Sequence, residues 1–273
     1  MIRVGFGQMW YGFDPAWSGI IPVLEECFPG EIEVCDDPDF LIFTRPTARS
    51  DHFSGTRIFY TGENERPPMD RCDWAFTHDY LDHPNHYRLP FYRLRHKPER
   101  LVLATNPPPP PAELLDRKFC NFVYSNSRAR ERIQFFHMLE KYRPVDAAGM
   151  VCNNTGVPVR KKLPFVRDYK FTIAFESESY PGYTTEKLAD PMSEHSLPIY
   201  WGNPLVDQDF DSDSFVNVSS FEEAVDTVIE LDRDDDAYLE KMSRPWFHND
   251  EPNEFVKTEN IRAQFVRIFG QEA

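Results

Sequence analysis

No C-x-x-C spacing occurs among the five cysteines (Cys27, Cys35, Cys72, Cys120, Cys152), and their number is odd. That argues against a disulfide framework and a thiolate zinc site, and leaves reduced thiols. No run of eighteen apolar residues is present, and the opening "MIRVGFGQMW" lacks the layout of a signal peptide. The expectation is a cytoplasmic protein without an integral membrane segment, at most loosely membrane-associated. Positive charge is also scarce: 30 Lys and Arg against 45 Asp and Glu give a net charge of −15. A protein that neutralises phosphate backbones needs the opposite sign, so nucleic acid is a poor partner. One phosphorylated small ligand in a locally basic pocket stays open. Nor is there an Asp-x-Asp pair beside a plausible strand. "DSD" at 211–213 reads as a loop and "DRDDD" at 232–236 as a solvated surface, so neither a metal nor a resident cofactor is expected.

What is present is enough for a core: 273 residues, 41% hydrophobic and 27% charged, without an internal repeat. In the first half, "IRVGFG" (2–7), "DFLIFT" (39–44), "TRIFYTGE" (56–63) and "DWAFTHD" (73–79) read as buried strands. "AWSGIIPVLEECF" (16–28) reads as a helix between the first two. Strands separated by helices imply parallel pairing in a layered α/β domain. "NPPPPPAELL" (106–115) reads as a stiff polyproline spacer or strap. Strand "FCNFVYSN" (119–126) and helix "SRARERIQFFHMLEKY" (127–142) follow, then a loop at 143–156. The domain boundary is placed there, at 146/147. Beyond it come strands "KFTIAFE" (170–176), "LPIYWG" (197–202) and "SFVNV" (214–218). A helix over 220–234 opens on the capping box Ser220/Glu223, and the helix over 259–270 is free to cross back to the first domain. Two such units in tandem place a cleft at the carboxyl ends of parallel strands, where ligands usually bind.

The densest chemistry lies in "ESESYPGYTTEKLADP" (176–191), a strand end leading through Pro-Gly into a helix. Free N–H groups at a helix start favour an anion, and Lys187 adds a positive charge. Glu186 could accept hydrogen bonds from the hydroxyls of a ribose, and Tyr183 could bond a phosphate or stack on a base. The plainer alternative is that Thr184 or Thr185 caps a helix whose Glu and Lys face solvent. Spacing alone does not decide between them.

The order "YKFTIAFE…YPGYTTEK…LPIYWGNP…FVNV" resembles the donor-binding motif of the α-1,3/1,4-fucosyltransferases, close to F-E-N…Y-x-T-E-K…P-I-Y-W-G. Upstream, "RIFYTGENERP" (57–67) is similar to the family's Y-T-G-E-N segment, and "YRLPFYRLRHKPE" (87–99) to its L-P-x-Y stretch. "FVYSNSRARERIQFFHML" (122–139) is similar to its S-N…R…F-F segment. The resemblance implies a GT-B fold: two Rossmann-like α/β domains with the active site in the cleft between them, acceptor on the first and GDP-fucose on the second. It also implies inverting, metal-independent transfer of L-fucose from GDP-fucose to the GlcNAc or glucose of an N-acetyllactosamine- or lactose-type acceptor. The linkage expected is α-1,3, with α-1,4 possible, and the product a host-like Lewis-type surface glycan. By the same resemblance Glu63 is the general base. Arg132 and Lys187 hold the donor diphosphate, Glu186 the ribose, and Tyr183 lies near the phosphates. Ser125, Asn126, Glu176 and Ser177 complete the donor site. Trp10 and Tyr11 offer aromatic faces for the acceptor sugar, or belong to the core. Of Arg128, Arg130 and Arg132, one is expected to face the site and two to face water.

The chain departs from the pattern at Ser177, where the family usually has Asn, and at Pro191, which should kink or end the helix after the T-E-K motif. A transferase using another GDP-sugar or acceptor, and an inactive glycan-binding relative, remain the alternatives.

Overall fold

The computed structural model describes residues 1–9, 13–15 and 20–270. Its contacts divide the chain into two α/β units: residues 1–95 together with the segment from Asn253 onward, and His96–Pro252.

The first unit contains β1 (Ile2–Phe6), α1 (Ile20–Cys27), β2 (Ile32–Val34), β3 (Phe40–Phe43), α2 (Ala48–Asp51), β4 (Thr56–Tyr60), β5 (Trp74–Thr77), β6 (His86–Arg88) and α3 (Phe91–Arg95). All pairs are parallel, in the order β2-β1-β3-β4-β5-β6. Parallel strands covered on both faces read as nearly continuous apolar runs, as "FLIF" of β3 does.

The second unit contains α4 (Pro111–Leu115), β7 (Lys118–Phe122), α5 (Arg130–Leu139), β8 (Val145–Ala147), α6 (Lys162–Arg167), β9 (Tyr169–Phe175), α7 (Glu186–Ser193), β10 (Leu197–Trp201), β11 (Val216–Asn217), α8 (Phe221–Arg233) and α9 (Asp235–Met242). The sheet order is β11-β10-β9-β7-β8, again parallel throughout. Strand β9 is buried along its whole length, and Phe175 at its end packs on Phe135 of α5 at 4.9 Å between centroids.

Helix α10 (Thr258–Phe269) belongs to the first unit. Its Ile261, Phe265, Ile268 and Phe269 repeat at i, i+4, i+7 and i+8, the spacing of one helical face, and share a core with Val4, Leu24, Ile58 and Phe76.

The boundary expected at 146/147 is corrected to 95/96. Strands β7 and β8 carry the same apolar signature as the strands before them, but β7 pairs with β9 (Cys120 opposite Phe171), which places both in the second sheet. Pairing partners are long-range, and no local pattern encodes them. The proline strap therefore lies within the second unit. Strands β2, β6 and β8 are three residues each, too short for an alternation to register. The "DRDDD" run is not a plain solvated surface: Asp234 accepts from Ala237 N and caps α9. The first residues expected in the opening helix, 16–19, lie outside the described residues. Among the described residues no helix is long and apolar enough to cross a membrane.

Each sheet has one position where the strand order reverses, and ligands of open α/β sheets bind at the carboxyl ends beside it. In the first unit this lies between β1 and β3, with β4 adjacent; in the second it lies between β7 and β9. The segments leaving these strands include Gly62–Glu63 in one unit, and Tyr124–Asn126 beside Glu176–Ser177 in the other.

Phe265 is fully buried and meets Phe76 edge-on at 5.3 Å. Phe265→Ala should cost about 3–5 kcal/mol, read as a lower urea midpoint with an unchanged slope. A loss below about 1 kcal/mol would mean α10 is not part of this core.

Candidate functional site

In the second unit, β9 delivers Glu176 to its carboxyl end with 1% exposure. The carboxylate accepts from the Thr185 amide at 2.7 Å and from Thr185 Oγ1 at 2.8 Å, and Lys187 Nζ stands 3.3 Å away. Burial pushes its pKa up, opposed by Lys187 and the two Thr185 bonds. Thr185 is the N-cap of α7: its hydroxyl accepts from the Lys187 amide and from Lys187 Nζ, the latter at 3.0 Å. One threonine thus ties the strand end, the helix start and the lysine together. Gly202, after β10, makes this possible. A Cβ there would lie 2.4 Å from Glu176 Cγ, so the Trp-Gly of the motif clears the space the carboxylate fills.

The approach to α7 is equally determined. Tyr183 N donates to Tyr180 O across Pro181-Gly182, and Gly182 has φ +87°, the pattern of a type II turn. Asn203 secures it: Oδ1 accepts from Gly182 N at 2.8 Å and Nδ2 donates to Thr184 Oγ1 at 3.0 Å. Tyr183 is buried, with its hydroxyl 3.4 Å from Ser177 Oγ. Pro191 sits in the last turn of α7, which ends two residues later at Ser193, so the cap upstream is intact.

Burial favours the neutral amine at Lys187, but Glu176 and Glu186 outweigh it and hold the pKa well above the usual lysine range. Glu186, against the opposing effect of burial, is kept below the ordinary carboxylate range by Lys187 and Lys162. Lys162 Nζ in turn pairs with Asp190 Oδ2 at 2.8 Å, and His96 Nε2 contacts Asp190 Oδ1 at 2.7 Å. Burial works against the charge on Asp190, yet Lys162 and His96 bring its pKa down to about 2. Glu186 and Asp190 are four residues apart, on one face of α7, with Lys162 serving both.

Arg132 enters from α5 with 2% exposure. Its guanidinium lies over the Tyr124 ring, 4.3 Å from the centroid, and neither Nε nor Nη2 has a hydrogen-bond partner. Leaving a buried donor unmet costs about 1–3 kcal/mol, more when it is charged, and an acceptor brought to Nε and Nη2 would relieve that cost. The Tyr124 hydroxyl donates to Ile173 O and accepts from Phe175 N, which locks the ring against β9. Arg132, Lys162 and Lys187 all act electrostatically on that buried tyrosine, so the three cations share one neighbourhood.

The sheet therefore brings together Glu176, Ser177, Tyr183, Glu186, Lys187 and, across Tyr124, Arg132. Arg128 and Arg130 are exposed, as expected of two of the three arginines. Ser125 and Asn126 are exposed and stand outside the buried cluster, Asn126 Oδ1 accepting from Arg128 N. Sequence reasoning named Thr185 as a possible cap, which it is, but did not find Tyr124, Asn203, Lys162, Asp190 or His96. Asn203 adjoins motif residues, whereas Lys162 and His96 carry no local signal. Trp10 and Tyr11 lie outside the described residues.

In the first unit Glu63 is exposed on the loop after β4. The hydroxyl of Thr61 accepts from its amide, and its carbonyl accepts from Glu65 N. The bond through its own amide fixes the loop and leaves the carboxylate unspent: among the described residues it has no hydrogen bond or ion pair. At the neighbouring end of β5, burial pushes the His78 pKa down to about 4, and Arg66 bridges Asp79, Asn64 and His78. Among the described residues no three His, Cys, Asp or Glu side chains gather as a metal would require.

Both halves of the chain match known sequences. The profile "Glycosyltransferase family 10 (fucosyltransferase) C-term" matches residues 115–264, and "Alpha-(1,3)-fucosyltransferase FucT N-terminal domain" matches residues 4–95. The chain is 36% identical over 220 residues to an alpha-(1,3)-fucosyltransferase of Helicobacter pylori, which covers 68% of this chain and 46% of that one. It thus spans about half the length of this curated relative. The crystal structure of an alpha1,3-fucosyltransferase superposes with a TM-score of 0.84 at 27% identity, covering all of this chain and 91% of the other. The crystal structure of an alpha1,3-fucosyltransferase with GDP-fucose gives 0.81 over the same shares. With its two parallel-sheet α/β units and both profiles in order, the chain belongs to glycosyltransferase family 10, the fucosyltransferases.

Proposed function

We propose that this protein transfers L-fucose from GDP-fucose, with inversion, to a GlcNAc or glucose hydroxyl of an N-acetyllactosamine- or lactose-type acceptor, forming chiefly the α-1,3 linkage. The observation that carries the donor assignment is the buried, unmet guanidinium of Arg132 near Lys187, at the reversal point of the second sheet. A nucleoside diphosphate offers acceptors and negative charge to both. A similar enzyme, an alpha1,3-fucosyltransferase, has a crystal structure with GDP-fucose, which supports the same donor here.

In this reading the two cations stabilise GDP as it leaves. The sugar–phosphate bond breaks with its electron pair going to the diphosphate, and charge grows where Arg132 and Lys187 already stand. Neither cation has to reorganise: Lys187 is held by Glu176 and Thr185, and Arg132 by its stack on Tyr124. Glu186, kept ionised by Lys187 and Lys162, accepts from the ribose hydroxyls. The acceptor hydroxyl attacks the anomeric carbon from the face opposite GDP and passes its proton to Glu63, whose carboxylate is free to take it. The charge on the leaving group is met by side chains, so the reading assigns no step to a metal.

Transfer from GDP-fucose to N-acetyllactosamine, lactose or lacto-N-biose should proceed in excess EDTA. Glu63→Gln should lower kcat about a hundredfold or more while GDP-fucose still binds. Failure of the wild type to bind GDP-fucose would sink the donor assignment; binding without transfer to any of the three would sink the acceptor. Arg132→Ala and Lys187→Ala should each cost about 10²–10³ in kcat/KM. Unchanged kinetics in both would remove the diphosphate clamp. For Lys162→Met the expected signature is a donor KM raised about tenfold with kcat nearly intact, and recovery in Lys162→Arg. A drop in kcat at constant KM would contradict its role in holding Glu186.

A further inference from the structure

At the carboxyl end of α7, the second unit contains a cavity of about 250 Å³ bordered by the proline strap and lined by Arg100, Arg117, Arg167, Glu194 and His195. Glu194, buried, already spends its carboxylate: Oε1 accepts from Arg100 at 3.1 Å and Oε2 from Arg167 Nε at 2.7 Å. Arg117, whose side chain is 5% exposed, directs Nη1 to the carbonyls of Glu194 and His195, which caps the helix end. Its Nη2 has no hydrogen-bond partner, and the exposed Glu113 carboxylate stands 3.9 Å off. His195 is 4% exposed, in a left-handed conformation, and neither ring nitrogen closes a hydrogen bond of ordinary geometry. Burial and the nearby Arg117 push the His195 pKa down to about 4, against the Asn106 backbone, which raises it, and keep the ring neutral, so that one ring nitrogen carries a proton.

The lining therefore holds more donors than acceptors. Three guanidiniums face two carboxylates, one of which is fully committed and the other largely in solvent. A guanidinium fork and an imidazole N–H are best answered by a planar or tetrahedral oxyanion, which only accepts. The volume exceeds that of several waters, at about 30 Å³ each, so a group larger than a single water fits. This end of α7 lies about 9 Å along the helix axis from Lys187, six residues at 1.5 Å each. It is separate from the donor site, and its case does not depend on the fucosyl-transfer reading.

We propose that this cavity is a binding site for a small phosphate-class oxyanion, seated between Arg117 Nη2 and the His195 ring, with the half-exposed Arg100 and Arg167 on the solvent side. The phosphate is either inorganic or that of a small phosphorylated metabolite. Calorimetric titration of the full chain, with GDP saturating the donor site and ionic strength held with chloride, tests it. Inorganic phosphate and glucose 6-phosphate are the two probes. One saturable site per chain is expected, with the His195 ring resonances moving at the same midpoint. Arg117→Gln should weaken it about tenfold or more, and Lys187→Ala should leave it unchanged. Tighter binding of the sugar phosphate assigns a phosphorylated metabolite; equal affinity assigns phosphate itself. If Arg117→Gln does not fold, Arg100→Gln, whose side chain is half exposed, takes its place with the same expectation. No saturable binding up to roughly 10 mM overturns the proposal. So does binding that survives the arginine variants and is lost in Lys187→Ala.

Discussion

The functional end of the second unit depends on one buried carboxylate. Glu176 stands at the last position a strand can deliver before the chain turns, and its two oxygens collect the Thr185 amide, the Thr185 hydroxyl and the Lys187 ammonium. An isolated carboxylate in that place would be protonated or excluded, since burying charge without partners is prohibitive. Satisfying it fixes the first turn of α7 against β9, and that sets the direction of every side chain on the turn. The sequence elements around it follow from this need. A glycine at 202 clears its volume, Pro-Gly turns the chain so that Thr185 arrives at bonding distance, and Asn203 holds the turn.

The two candidate anion-binding cations are prepared in opposite ways. Lys187 is paired in the resting protein, and its neighbours keep it charged. Arg132 has packing but no acceptor for Nε or Nη2. A ligand anion gains little new order from the lysine, which is already placed, and gains strong bonds from the arginine, whose unmet donors already carry the desolvation cost. That division is how a site can be rigid and still hold an anion firmly. It also locates Lys162, Asp190 and His96: Lys162 sustains the charge on Glu186 from behind the helix, against Asp190, whose own charge Lys162 and His96 meet, and no motif would draw attention to these residues.

How much of this was legible varied with the range of the interaction. The parallel α/β character was readable because buried strands and amphipathic helices leave local signatures, as β9 and α8 do. The motif around Glu186 and Lys187 was readable because its members are sequential. The unit boundary was misplaced, because β7 and β8 look like any buried strand and only pairing with β9 assigns them. The expectation that Pro191 ends the helix fits the structure, since α7 stops two residues later at Ser193. Pro191 lies in the final turn, past Thr185, which caps α7. Tyr124, Lys162 and His96 were invisible because each acts through a partner distant in sequence: the β9 backbone, Asp190 and Glu186.

A net charge of −15 looks unsuited to holding the nucleoside diphosphate proposed as donor. The resolution lies in range. Exposed charges beyond about 8 Å are screened at physiological ionic strength, whereas partners inside a desolvated site are not. The acidic excess is spread over solvated faces such as the outward side of α8, with Glu222, Glu223 and Glu230, so it contributes little at the buried cluster. There Arg132, Lys187 and Lys162 face Glu176, Glu186 and Asp190, a near balance in which the carboxylates fix the two lysines and the arginine is left to the ligand. Affinity for the proposed anion would then be a property of a few oriented donors, with the protein's overall negative field acting against longer polyanions.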